Sequence, residues 1–353
     1  MFSPAIQLSA PFNFILPEQL KAKEPAEVRG IARDNVKLLV IDRHNKKTHH
    51  TNFIQLSDYL KKNDLLVFNS SRTLPAVLKG YSSSHQQIEI RLAEHLPDNS
   101  WLALIMIDNK PATNNIINKT IDFSIGLNAT VLSRDSRIAA LWQINFSKKD
   151  EALLDAIYRI GQPVRYEYVS EPWALDYYQT VYAKEPGSAE MPSAGRAFTW
   201  KMIFDLKRRG INTAYITLHT GLSSYMDDKA DAMHIASDEE YIISENAAKK
   251  ITDAKQKGGK IIAVGTTVVK ALESSALLTG SVEAAHDYTH LYISADHSLK
   301  IVDGLITGLH EPEASHLEML SAFVSPATLK SAYEEAIKKN YLWHEFGDLN
   351  LIL

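Results

Sequence analysis

Cysteine is absent from all 353 residues. That excludes disulfides, thiolate metal sites and a cysteine nucleophile, and it leaves the redox compartment undetermined. No stretch approaches the roughly 20 apolar residues that a membrane helix needs, so no membrane partner is expected. The opening "MFSPAIQLSAPFNFILPEQL" lacks a basic start followed by an apolar run. No secretory signal is therefore read, and a cytoplasmic location is expected. Positive charge is not in excess either. With a formal net charge of −4, a nucleic-acid partner would need a local basic patch, because the global field does not attract phosphate. Internal repeats and low-complexity tracts are missing as well.

What is present is an ordinary globular composition, 45% hydrophobic and 23% charged, in a chain long enough for two domains. After a proline-punctuated start, "VKLLVIDR" (Val36–Arg43) reads as a strand and "FIQLSDYLKKN" as a short amphipathic helix. "DLLVFN" (Asp64–Asn69) reads as a buried strand. From about Leu74 to Phe146 short alternating runs such as "QIEIRLAE", "SWLALIMI" and "IAALWQINF" follow one another between turn residues. That spacing predicts a small β-barrel or sandwich.

After Lys149 helices and strands alternate. "DEALLDAIYRIG", "FTWKMIFDLKRRG", "SENAAKKITDAKQKGG", "SHLEMLSAFV" and "TLKSAYEEAIKKNY" read as helices. "INTAYITLH", "KIIAVG", "THLYIS" and "LKIVDGLIT" read as strands. The expected fold is therefore α/β, interrupted by an inserted all-β domain. The boundaries are set at residues 1–64 and 151–353 for the α/β part and 65–150 for the insertion.

Several stretches carry possible chemistry. In "AVGTTVVKALES" Gly265 ends a strand and Thr267 is the expected N-cap of a helix starting at Val268. Free N–H groups at a helix start also suit an anionic ligand, although capping alone is the commoner role. "TLHTGLSSY" places His219 at a strand end, where it could serve as acid, base or hydrogen-bond donor, or be a buried histidine satisfied by the backbone. "NSSRTLPA" carries Arg72, which could fork onto a phosphate or carboxylate or join the two domains by a salt bridge. The long segment Tyr177–Trp200 could stack its aromatics on a base or be an Ω-loop packed by its own tyrosines. "TGLHEPEASHLEML" gathers His310, Glu311, Glu313 and His316, but their spacing matches no metal signature, and no metal is expected. "KRRG" (Lys207–Gly210) reads as cations complementing a helix C-terminus.

In order, these stretches resemble the S-adenosylmethionine:tRNA ribosyltransferase-isomerases of queuosine biosynthesis. The resemblance runs nearly end to end, through "FILPEQLKAKEP", "DLLVFNSSRTLPAVL", "YYQTVYAKEPGSAEMPSAGRAFT", "ITLHTGL", "AVGTTVVKALES", "IVDGLITGLHEPEASHLEMLSAF" and the tail "FGD". It implies a barrel-like α/β domain with an inserted β-barrel. It implies an enzyme that moves the ribosyl part of S-adenosylmethionine to 7-aminomethyl-7-deazaguanine in tRNA, forming epoxyqueuosine and releasing adenine and methionine. S-adenosylmethionine is then a consumed substrate, with no bound cofactor.

That chemistry needs a base beside the sulfonium, a neutral amine and a donor for the departing adenine. The catalytic candidates are His219, His310, Glu273 and Asp348. The resemblance further implies substrate-binding roles for Asn69, Arg72, Tyr178, Gln179, Tyr182, Gly195, Thr199, Gly221, Gly265, Thr266 and Thr267. The methionine carboxylate or a phosphate is the anion expected at the Gly265 turn.

The chain also departs from the family pattern. Ala197 stands where a histidine is usual, Phe346 where a tyrosine is usual, and "MIDNKP" (Met106–Pro111) replaces a basic stretch. Ser70-Ser71, Thr220–Tyr225 and Thr307–Leu320 also differ from it. The chain thus reads as a divergent member or paralogue. A different, small-molecule acceptor and a non-catalytic binding role are the alternatives.

Overall fold

The computed structural model describes residues 14–166, 168–169, 171–226, 238–312 and 314–353. The chain opens with β1 (Lys37–Asp42), β2 (Lys47–Asn52), β3 (Leu65–Asn69) and β4 (Ser71–Thr73). It then enters β5 (Val77–Ser82), β6 (Gln87–His95), β7 (Trp101–Ile107), β8 (Lys110–Pro111), β9 (Thr120–Asp122), β10 (Asn128–Arg134) and β11 (Leu141–Phe146). Helix α1 (Asp150–Ile160), β12 (Glu185–Ser188), α2 (Trp200–Arg208), β13 (Asn212–Leu218), β14 (Glu239–Ile243), α3 (Glu245–Gln256) and β15 (Ile261–Val264) come next. The remainder is α4 (Thr266–Ser275), β16 (Ala285–Thr289), β17 (Gly304–Gly308), α5 (His316–Ser321), α6 (Pro326–Lys338) and β18 (Leu349–Ile352).

Nine strands form one mixed sheet in the order β16-β14-β13-β3-β15-β17-β18-β1-β2. Its centre is parallel: β13, β3, β15 and β17 all run the same way. Parallel strands need cover on both faces, which explains the uninterrupted apolar run in β3. Leu65 and Val67 face one core layer with Val268, Leu272, Leu329 and Tyr333. Leu66 and Phe68 face the other, with Phe198, Met202, Ile203 and Leu206. In the insertion β11, β10, β9, β5, β6 and β7 pair in turn, and β11 also pairs with β7, which closes a six-stranded barrel. Closure removes the edges that short antiparallel strands would otherwise expose.

The insertion's boundaries move from those read in the sequence. Strand β3, assigned to residues 65–150, lies at the centre of the nine-stranded sheet. Helix α1, assigned to the α/β part, buries Leu153, Ala156 and Ile157 in the barrel's own core. The barrel unit therefore spans roughly Leu74 to Val164.

Three further expectations are corrected. Residues 53–59 form a 3-10 helix instead of an α-helix. "THLYIS" is not a strand; its place in the sheet is taken by Ala285–Thr289. The strand expected over "LKIVDGLIT" starts only at Gly304, because the N–H groups of Lys300, Ile301 and Val302 bind the Glu273 carboxylate at 2.9, 2.9 and 3.0 Å.

Candidate active site

The parallel strands end together along one edge of the sheet, where ligands gather in open α/β sheets. This edge collects Asn69 from β3, His219 after β13, the Gly265 turn after β15 and Gly308–His310 after β17. Asn69 ties three of these ends. Its amide donates to the Leu218 carbonyl at 2.8 Å and to Thr267 Oγ1 at 3.2 Å, and its Oδ1 accepts from the N–H of Ser71 and of Leu218. With every polar atom engaged, Asn69 shapes the edge instead of reaching a ligand.

His219 sits in a cleft between the sheet edge and the inserted barrel. The cleft is lined on the barrel side by Ala93, Glu94 and His95, and on the other by Gly187, Thr220, Gly221 and Glu240. A relay orients the ring. Ser71 Oγ lies 2.8 Å from His219 Nδ1 and 2.6 Å from Ser188 Oγ, which in turn accepts from the Thr220 N–H at 3.0 Å. Among the described residues Nε2 has no partner. With Ser71 accepting from Nδ1–H, Nε2 is a free base. With Ser71 donating, Nε2–H is a donor. Burial pushes the imidazole's pKa below its ordinary value, so the ring is neutral at neutral pH.

Gly187 gives the ring its room. A Cβ there would stand 2.5 Å from both Nδ1 and Cε1 of His219. Gly187→Ala must therefore displace the ring, and kcat is expected to fall at least tenfold with little change in Tm. Wild-type turnover in that variant would show that the ring's position is not needed.

Glu94 faces the same cleft from the barrel. Arg137 lies 3.6 Å from it and also bonds Asp238 at 2.6 Å. Burial outweighs Arg137 and pushes the Glu94 carboxyl up from 4.5 to about 7. Between those values the folded protein holds a proton that the unfolded chain has released. The resulting stability is complete below about pH 4.5 and is lost as pH rises through about 7. Glu94→Gln is expected to flatten that dependence and to leave the protein more stable than wild type at pH 8. The gain is at most roughly 3 kcal/mol at 1.4 kcal/mol per pKa unit. Denaturant titrations at pH 5 and 8 check this, and an unchanged difference between the two pH values would count against it.

The Gly265 turn differs from the expected cap. The N-cap is Gly265 itself, at φ 101°, and the helix starts at Thr266. That φ lies in the left-handed region where a side chain is strained. Thr267, one residue inside the helix, accepts from Asn69 instead of capping. Thr266 and Thr267 are both half-buried at this edge, and the Ser193–Gly195 turn abuts Gly265 through Ala194.

Two catalytic candidates are structural. Glu273 is fully buried, and its carboxylate is taken by the three backbone N–H groups named above. Asp348 accepts from the N–H of Lys37 and of Leu342, each at 2.7 Å, and so pins the start of β1 to the turn before β18. His310 is at the edge, but its Nε2 bonds Thr307 Oγ1 at 3.0 Å and its ring stacks on His316 at 4.5 Å. Burial drives its pKa well below the ordinary histidine value. Glu313 lies outside the described residues, and among the described residues no three metal-ligating side chains converge.

Most of the binding candidates frame the site. Gln179 forms a two-way bond with the backbone of Thr73. Thr199 caps α2 and donates to Asp34 at 3.0 Å. Tyr182 packs on Phe68 and Gly195, while Tyr178 packs on Phe346, where burial pushes its phenol up to about 12. Gly221 abuts the Ala93 carbonyl of the barrel. Arg72 stays available. It is half-buried on β4, and among the described residues its guanidinium makes no ion pair.

Residues 9–352 match the family model described as queuosine biosynthesis protein. This chain belongs to that family. Its relatives include the S-adenosylmethionine:tRNA ribosyltransferase-isomerase of Carboxydothermus hydrogenoformans, 35% identical over 97% of this chain and 98% of the relative. The enzyme of the same name from Caldanaerobacter subterraneus is 34% identical over the same shares. A crystal structure of the S-adenosylmethionine tRNA ribosyltransferase from Thermotoga maritima covers 97% of this chain and 100% of its own, at 28% identity and a TM-score of 0.55.

The fold brings residues to the site that were not among the candidates. Ser71, Ser188, Gly187 and Glu94 build the His219 cleft. Ser71 and Ser188 carry no signal of their own; they meet only because β4 pairs with β12. Two family departures fall on packing positions. Ala197 is buried beside Phe198, and Phe346 lies under the Arg196 guanidinium at 5.1 Å.

Proposed function

We propose that this chain transfers the ribosyl part of S-adenosylmethionine to 7-aminomethyl-7-deazaguanine in tRNA and isomerises it, with release of adenine and methionine. The observation that carries this reading is similarity to ribosyltransferase-isomerases over 97% of the chain. The oriented, neutral His219 in the interdomain cleft supplies what the reaction needs. Its Nε2 takes the proton beside the sulfonium or hydrogen-bonds the departing adenine, according to the direction of the Ser71–Ser188 relay. Arg72 and the N–H groups of the Gly265 turn suit an anionic group of either substrate. S-adenosylmethionine acts as a substrate, and no resident cofactor is invoked. Work on tRNA suits a cytoplasmic location, and among the described residues no helix is long and apolar enough to cross a membrane.

The test is product release. With S-adenosylmethionine and tRNA carrying the aminomethyl-deazaguanine base, adenine and methionine should appear together, and neither should appear without that tRNA. Binding of S-adenosylmethionine without release in the presence of the modified tRNA would sink the reading.

A further inference from the structure

Helix α2 leaves the active edge with an unusual outer face. Trp200 and Phe204 are 46% and 55% exposed, and their rings stack at 5.9 Å with 25° between planes. The spacing i, i+4, i+8 puts Trp200, Phe204 and Arg208 in one row about 12 Å long. Lys201, Lys207 and Arg209 flank that row. Lys61 and Lys62 adjoin its far end, where the Lys62 stem packs on Gly210 and the Asn63 N–H binds the Gly210 carbonyl at 3.1 Å. The acids at this face are Asp34, held by Thr199 at the start of α2, and Asp58 and Asp205, which pair with Arg209 and Arg208. Six cations thus meet three carboxylates on a chain whose net charge is −4, and Lys61, Lys62, Lys201 and Lys207 make no ion pair among the described residues.

We propose that this face of α2 is the surface on which the RNA substrate docks, with unpaired bases stacking on Trp200 and Phe204 and phosphates lying along the flanking cations. The proposal rests on the tRNA reading above. Protein interfaces deplete charge at their cores, whereas here lysines and arginines share the helix with the exposed rings. Exposed rings with flanking cations are what a single strand requires, since every base has a face to stack and every nucleotide a phosphate to neutralise. The location fits. Thr199 anchors the N-terminus of α2 to Asp34, and the preceding Ser193–Gly195 turn abuts Gly265. A strand with one base in the active edge would lay its neighbours on this row.

Binding of unmodified tRNA, followed by fluorescence anisotropy, needs no turnover. Trp200→Ala/Phe204→Ala is expected to weaken it about ten- to hundredfold, and to raise the KM for modified tRNA to match, with the KM for S-adenosylmethionine within twofold. Trp200→Phe/Phe204→Tyr keeps both π-faces and should restore binding. Lys201→Ala/Lys207→Ala should flatten the salt dependence of binding. Equal tRNA affinity of wild type and Trp200→Ala/Phe204→Ala overturns the surface while leaving the tRNA reading intact. Loss of a dimer in that variant, with tRNA affinity unchanged, would instead make the face an interface between copies and overturn the proposal. A wild type that binds no tRNA at all would remove both.

Discussion

Replacing His219 with glutamine is expected to lower kcat about 10²- to 10⁴-fold, the usual contribution of a positioned acid or base. The reason is geometric before it is electrostatic. The ring is held by the Ser71 hydroxyl, 2.8 Å from Nδ1, and packs on the Gly187 backbone through Nδ1 and Cε1, which leaves Nε2 as the reactive atom in the cleft. Glutamine can keep a hydrogen bond to Ser71 but cannot cycle a proton near neutral pH. Because burial lowers the imidazole's pKa, the acid limb of the wild-type kcat profile should fall below the ordinary histidine value near 6.5 and vanish in the variant. Ser71→Ala, which frees the ring to reorient, should show a smaller loss with that limb still present. A His219→Gln enzyme that keeps a tenth of wild-type kcat would remove this residue from the chemistry.

The second large effect is on stability. Glu273→Ala strips the partner from three backbone N–H groups at residues 300–302, two of them in fully buried bonds. Leaving a buried donor unsatisfied costs about 1–3 kcal/mol, so a loss of about 3–5 kcal/mol is expected, near the upper end for single substitutions. The loop that Glu273 holds feeds directly into β17, whose end carries Gly308 and His310 at the active edge. Tm should therefore drop by several degrees, while kcat at low temperature stays within a few-fold of wild type. Glu273→Gln, which retains one acceptor oxygen, should lie between. A large kcat loss in Glu273→Gln without a change in Tm would return this residue to the catalytic set.

The contrast between His219 and Glu273 shows where residue-type reasoning worked. Both follow parallel strands, and both are side chains of the right chemistry. A histidine just past a strand end keeps a free ring nitrogen when its neighbour is glycine, and "EPG" in the long loop supplies that glycine. A glutamate two turns into a helix points wherever the helix's phase dictates, and here the phase buries it under residues 300–302. The 3.6-residue period of "TTVVKALES" placed Glu273 on the apolar face with Val269 and Leu272, so its burial was legible; its partners were not. Thr267 is a similar case. Threonine is a good N-cap, yet a glycine free to adopt φ 101° took that position and shifted the helix start by two residues.

Sequence by itself determined the alternating core of the α/β part, the short-strand texture of the insertion and the family. Each is written in local periodicity or in contiguous motifs, and each survives without knowledge of which strand lies beside which. Only the tertiary structure decided that β3 belongs at the centre of the large sheet and that α1 packs with the barrel, because hydrophobic burial is satisfied by any apolar neighbour and does not name one. It alone brought Ser71, Ser188 and His219 into one relay from three separate segments. It alone set Glu94 across the cleft from them. The physical reason is that hydrogen-bond geometry and desolvation depend on distances of a few ångströms between residues 30 to 150 positions apart, and those distances exist only once the strands have paired.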